Sequence, residues 1–136
     1  MAIDTGHGAT ITFGTQGGTW RCIKINGHAE TRPKVNTSYL ATSGYGETMP
    51  GDLVECGDFT VQVQFQGNQG LPTMVAVETI TITHPLAAGE SGAANIAGTG
   101  YVIRRKYPDL ETNTLKVGEF DIVFDGVTGP TLTLAT

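Results

Sequence analysis

Phe59-Thr60-Val61-Gln62-Val63-Gln64-Phe65-Gln66 alternates apolar and polar side chains without a break. That period of two is the pattern of a β-strand with one face in a core and the other in water. The polar face is uncharged. Solvent-facing strands more often carry Lys or Glu, whose charge also discourages edge-to-edge pairing. Gln62, Gln64 and Gln66 therefore suit either an ordinary solvated surface or the wall of an enclosed, wet space.

The residues before this strand have no such rhythm. Asn36 to Glu47 is polar and glycine-rich, and an acidic turn, Met49-Pro50-Gly51-Asp52-Leu53-Val54-Glu55-Cys56-Gly57-Asp58, follows. Residues 36–58 read as neither helix nor strand. Structureless loops beyond about 12–15 residues are uncommon inside compact domains. This one is expected to act outside the core.

Elsewhere short apolar–polar alternations recur between Gly- and Pro-rich turns. Strands are expected at Thr10–Phe13, Trp20–Ile25, Ala29–Val35, Glu78–Thr83, Tyr101–Arg105, Glu119–Phe124 and Thr131–Leu134. Asn26-Gly27 predicts a hairpin joining the second and third of these, because both residues tolerate positive φ. In Trp20–Ile25 the alternation places Ile23 and Ile25 on one face, Cys22 and Lys24 on the other. Leu71–Ala76, with Pro72 near its start, is the one candidate for a short helix. Ala87–Gly100 is rich in small residues and reads as loop, and residues 1–9 as an N-terminal arm. The expected class is mainly β: an antiparallel sandwich or barrel with at most one short helix and a long extended loop. Residues 1–136 are expected to form one domain.

Composition narrows the function. Charged residues make up 15% of the chain, against about 25% in an ordinary soluble domain. A surface poor in charge and rich in Thr, Gly and Gln suits extensive protein–protein contact, or simply a Thr-rich β protein. The formal net charge is −5, which argues against the basic face that nucleic-acid binding requires. The only basic run, Arg104-Arg105-Lys106, reads as a solvated strand end. Cys22 and Cys56 form no CxxC pair, and His7, His28 and His84 are scattered, so no zinc set is expected. The cysteines read as free thiols, with a disulfide as the alternative in an oxidising compartment. Neither a Ser nucleophile motif nor a phosphate loop is found. The acids at 52, 55 and 58 miss the calcium-loop pattern. No catalytic residue, cofactor or metal site is assigned, and the chain is expected not to be an enzyme. Residues 1–4 lack the basic and apolar regions of a signal peptide. No apolar run approaches the roughly 18 residues of a membrane span, so no membrane partner is expected.

The order of features resembles that of phage major tail tube proteins. The likeness rests on Val35-Asn36-Thr37-Ser38-Tyr39-Leu40, then Glu47-Thr48-Met49-Pro50-Gly51-Asp52-Leu53-Val54-Glu55-Cys56-Gly57 before an alternating strand. Downstream it continues through Glu78-Thr79-Ile80-Thr81-Ile82, Gly98-Thr99-Gly100-Tyr101-Val102 and Phe124-Asp125-Gly126-Val127-Thr128-Gly129-Pro130. The resemblance implies a β-sandwich or barrel subunit that forms hexameric rings. These stack into a tube whose lumen conducts double-stranded DNA without specific binding. Bacterial type VI secretion tube proteins share the fold. The implied partners are other copies of the chain and the tail terminator, tape measure and distal tail proteins. The implied location is the virion tail, after synthesis in the host cytoplasm. Residues 36–58 would make inter-ring contacts through Tyr39, Leu40, Tyr45, Met49, Asp52 and Glu55. Gln62, Gln64 and Gln66 would face the lumen. The alternatives are a tube subunit of a contractile injection or type VI secretion machine, or a tail or capsid decoration protein. A carbohydrate-binding sandwich is a further class, and would need an exposed aromatic platform.

Overall fold

The structure, a computed structural model, describes residues 8–39, 44–74 and 77–136. Among them the chain forms eleven strands and no helix: β1 Thr10–Phe13, β2 Thr19–Ile25, β3 Glu30–Thr31, β4 Lys34–Asn36, β5 Thr48–Pro50, β6 Glu55–Cys56, β7 Phe59–Gln64, β8 Glu78–Thr83, β9 Asn95–Lys106, β10 Val117–Phe124 and β11 Thr131–Thr133. Six of these pair antiparallel in the order β10-β7-β2-β1-β8-β9, and β9 returns to β10 to close a barrel. Closure removes the open edges that a flat sheet would expose. β11 adds to β9 outside the closed ring.

The expected alternation builds the core. Phe59, Val61 and Val63 point inward from β7, Ile80 and Ile82 from β8, and Phe120, Ile122 and Phe124 from β10. Trp20 meets Phe13 and Phe120 edge-on, and those two rings are tilted against each other, with centroids 5.2–6.5 Å apart across the trio. The Trp20 indole N–H donates to the Gly70 carbonyl at 3.1 Å, satisfying the one polar atom that burial would otherwise strand. Phe59 stacks on Phe124 at 5.4 Å, and His28 abuts Phe124 at 5.3 Å.

Several sequence expectations change. β9 begins at Asn95, inside the stretch that reads as loop. Its small residues are there because backbones crowd: a Cβ on Gly98 would stand 2.8 Å from Pro130 Cα, and one on Gly100 would meet the Val123 carbonyl. Gly100 pairs with both Glu78 and Phe124, so it sits where the barrel closes. The Asn26-Gly27 hairpin does not form. Neither residue has positive φ, and the segment leading into them is held by β7: Ile25 lies opposite Val61, and the Asn26 N–H donates to the Thr60 carbonyl at 3.0 Å. A bulge between Cys22 and Lys24 also overturns the face assignment in β2. Cys22 and Ile25 turn toward the core, and Ile23 is half exposed. Leu71–Met74 is extended rather than helical, with Leu71 and Pro72 buried under the barrel end; residues 75–76 lie outside the described residues.

Truncating Phe120, whose ring joins the aromatic trio and is fully buried, should cost about 3–5 kcal/mol. Gly100→Ala should cost about 1–3 kcal/mol through overpacking at the seam. Urea unfolding of both variants checks this, and wild-type midpoints would contradict the packing described.

Candidate assembly surfaces

The stretch 29–57 is an outgrowth of one hairpin. In the barrel β2 pairs with β7, with Cys22 opposite Val63 and Ile25 opposite Val61. The same two chain segments continue past the barrel end. Gly57 N–H donates to Ala29 O at 2.8 Å, Glu30 lies opposite Cys56, and Thr31 lies opposite Glu55. Farther out Lys34, Val35 and Asn36 face Pro50, Met49 and Thr48. From Glu30 to Thr37 this ribbon extends roughly 25 Å at about 3.3 Å per residue. The expected structureless loop is therefore partly a two-stranded ladder.

Two features shape the ribbon. Its entry to the tip is clasped by Ser38: the Glu47 N–H donates to Ser38 Oγ at 2.6 Å, and the Ser38 N–H donates to Asn36 Oδ1 at 2.9 Å. Midway, the ladder is irregular. Between the pairs Thr31–Glu55 and Lys34–Pro50 one strand has only Arg32 and Pro33, while the other has Gly51, Asp52, Leu53 and Val54. Pro33 has no N–H to offer a ladder, and its carbonyl takes the Gly51 N–H at 2.6 Å. The two surplus residues bulge outward, leaving Leu53 74% and Val54 50% exposed.

Nothing on the barrel covers the ribbon. Every residue of β4 and β5 is exposed, and the apolar cross-strand pair Val35–Met49 is about half exposed on each side. Of the residues expected to make inter-ring contacts, Tyr39, Tyr45, Met49, Asp52 and Glu55 all lie exposed on this ribbon. Leu40 falls outside the described residues, as do residues 1–7 of the N-terminal arm.

The glutamine face lies on the outer side of the barrel. Gln62 and Gln64 are half-buried on β7, whereas Gln66 lies past the end of that strand, its carbonyl closing the turn to Gln69 and Gly70. Gln62 Nε2 donates to Glu119 Oε1 at 3.0 Å, and Thr60 Oγ1 donates to Asp121 Oδ1 at 2.8 Å. Arg104 on β9 reaches both acids, through Nε to Asp121 Oδ2 at 2.8 Å and Nη2 to Glu119 Oε2 at 3.2 Å. Asp121 stands directly opposite both Thr60 and Arg104, so one carboxylate ties three strands. Arg105 instead donates to the Pro72 carbonyl and lies over the Tyr107 ring.

A groove of about 400 Å³ opens at the root of the ribbon. It is mostly apolar, lined by Cys22, Ile23, Ile25, Ile82 and Ile96, with Lys24, His28 and His84 around it. It exists because β1 starts at Thr10, opposite Arg21. Among the described residues no strand lies beside Cys22–Ile25 on that edge. His28 Nε2 donates to Glu30 Oε1 at 3.1 Å, while His84 Nδ1 is buried with no hydrogen-bond partner among the described residues. Burial pushes the Cys22 thiol up to about 11, against a smaller lowering by its hydrogen bond with Ile11. Both cysteines are free. Sequence reasoning did not find this groove, because its two histidines are isolated in the chain and only the barrel brings them together.

Hydrogen bonding from Arg104, and less so from Thr60, outweighs burial and holds the Asp121 carboxyl below its ordinary 3.8. A depressed carboxyl adds stability above its unfolded value and loses it as pH falls through the folded value. Arg104→Gln should therefore lower stability slightly at neutral pH, because exposed ion pairs contribute little. The gap to wild type should narrow well below pH 3.8. Urea midpoints at the two pH values measure this, and a gap that widens on acidification would contradict it.

No protein-family model matches the chain, and no curated protein matches it. Solved structures do. The chain is similar to one in the cap that terminates the tube of the anti-feeding prophage, with TM-score 0.69 and 15% identity over 99% of this chain and 93% of that one. It is similar to one in the PVC sheath/tube terminator of an extracellular contractile injection system, with TM-score 0.67 and 14% identity over 98% and 96%. A chain of the PVC sheath–tube complex gives TM-score 0.65 and 14% identity over 98% and 93%. At such identities the likeness is one of fold: this chain shares, over nearly its whole length, the fold of chains from tube and tube-terminator assemblies.

Proposed function

We propose that this chain is a self-assembling structural subunit of the tube of a phage-tail-like particle, and that its ribbon docks on neighbouring copies. One observation carries the proposal: a ribbon about 25 Å long whose apolar pair Val35–Met49 has no cover of its own. An isolated two-stranded ribbon is marginal in water, so one this long is an element awaiting a surface. The shared fold with chains from tube assemblies agrees with this.

In the proposed particle the subunits form hexameric rings that stack. Tyr39, Leu40, Tyr45, Met49, Asp52 and Glu55 make contacts between copies. The outer face bearing Gln62, Gln64 and Gln66 lines the lumen. There Arg104 is engaged with Asp121 and Glu119, which limits its availability to phosphate. A wall with few available cations suits a conduit, because each phosphate contact adds affinity and slows passage. In a tail the cargo is double-stranded DNA, and the ends of the tube meet terminator and distal proteins. A second reading, a terminator that caps a tube, is favoured by the likeness to the tube-terminating cap.

Negative-stain electron microscopy of the purified chain tests the proposal. Long tubes support the repeating subunit, single rings support the terminator, and a monomer at high concentration refutes both. Deleting Thr42–Gly46 should leave the unfolding midpoint unchanged and abolish tubes. Normal tubes after the deletion would overturn the role given to the ribbon.

A further inference from the structure

We infer that the groove at the root of the ribbon is the receptor for a second copy, and that it takes the Asp52–Glu55 bulge of that copy's ribbon. The inference rests on the self-assembly proposed above. Three complementarities support it. First, the groove offers aliphatic surface from Ile23, Ile25 and Ile82, and the bulge offers Leu53 and Val54, 74% and 50% exposed. Second, the groove runs along a strand edge, Cys22–Ile25, with no described neighbour on its β1 side. Residues 52–54 belong to neither ribbon ladder. An extended segment can add to such an edge through main-chain hydrogen bonds while its side chains fill pockets alongside.

Third, the charges match. Lys24 lines the groove, whereas Asp52 and Glu55 flank the two aliphatics of the bulge. The ribbon of the same chain leaves the barrel beside the groove, through Gly27 and His28. Each subunit thus carries both a receptor and a ligand, two different patches, as a heterologous repeating contact requires.

Charge reversal and photo-crosslinking test the inference. Lys24→Glu, at an exposed position, should leave the unfolding midpoint unchanged and raise the concentration needed for assembly by about tenfold or more, as for a close interfacial charge pair. Adding Asp52→Lys to the same chain should restore assembly. With benzoylphenylalanine at position 53, in tubes or rings mixed from isotopically light and heavy chains, crosslinks should join light to heavy chains at residues 22–28 or 82–84. Unimpaired assembly of Lys24→Glu with crosslinks elsewhere would overturn the groove assignment while leaving self-assembly intact. So would a loss that Asp52→Lys does not repair, or a crosslink from position 23 to residues 1–7 of its own chain. Failure of the wild-type chain to associate at all would instead overturn the proposed function and this inference together.

Discussion

The pairing of β2 with β7 is the interaction on which the rest of this structure depends. A single ladder begins inside the barrel and ends in solvent. At Cys22–Val63 and Ile25–Val61 it is backed by the aromatic and aliphatic core, where each buried Å² of apolar surface contributes roughly 25 cal/mol. At Val35–Met49 the same backbone geometry has nothing behind it. Ordering a residue costs about 1–2 kcal/mol in either place. The barrel half meets that cost with burial; the exposed ribbon half relies on ladder bonds and on clasps such as those at Pro33–Gly51 and Ser38–Glu47. The ribbon is energetically unfinished, and a surface laid on it would supply what the core supplies below.

The same contrast explains what the sequence revealed. β7, β8 and β10 alternate cleanly because each has one face in the core and one in water, and the residues that read as inward are inward. The ribbon has no inward face, so its strands leave no period to detect. That is why residues 36–58 read as loop, although Thr48–Pro50 and Glu55–Cys56 are paired. Asn95–Gly100 is hidden for a different reason. Close backbone approach at Gly98 and Gly100 demands small residues, and small residues look like loop. Asn26-Gly27 carries a strong local turn signal, yet the pairing with β7 continues through Ile25 and the Asn26 N–H and overrides it. The exposure of Tyr39, Tyr45, Met49, Asp52 and Glu55 was legible from their place in the long excursion. The groove was not, since it is made by the late start of β1, at Thr10 opposite Arg21, and by histidines from different strands' ends.

Ladder irregularities are the least legible features, and three of them share a property. The bulge in β2 turns out Ile23, the one in β9 turns out Ile103, and the surplus residues of the ribbon turn out Leu53 and Val54. A bulge breaks the two-residue period and re-aims a side chain. Left in water, a polar residue would serve at each position without cost. All three instead carry aliphatics, on a chain with only 15% charged residues. Scattered apolar exposure is ordinary on a monomer, but aliphatics placed where the ladder itself yields to display them are better explained by partners. Surfaces that remain together through the life of a complex resemble a core cut in two. In the assembly we propose, the bulges would be where the barrel's core continues into its neighbours, with Ile23 in the groove and Leu53 on the ribbon as two halves of one such continuation.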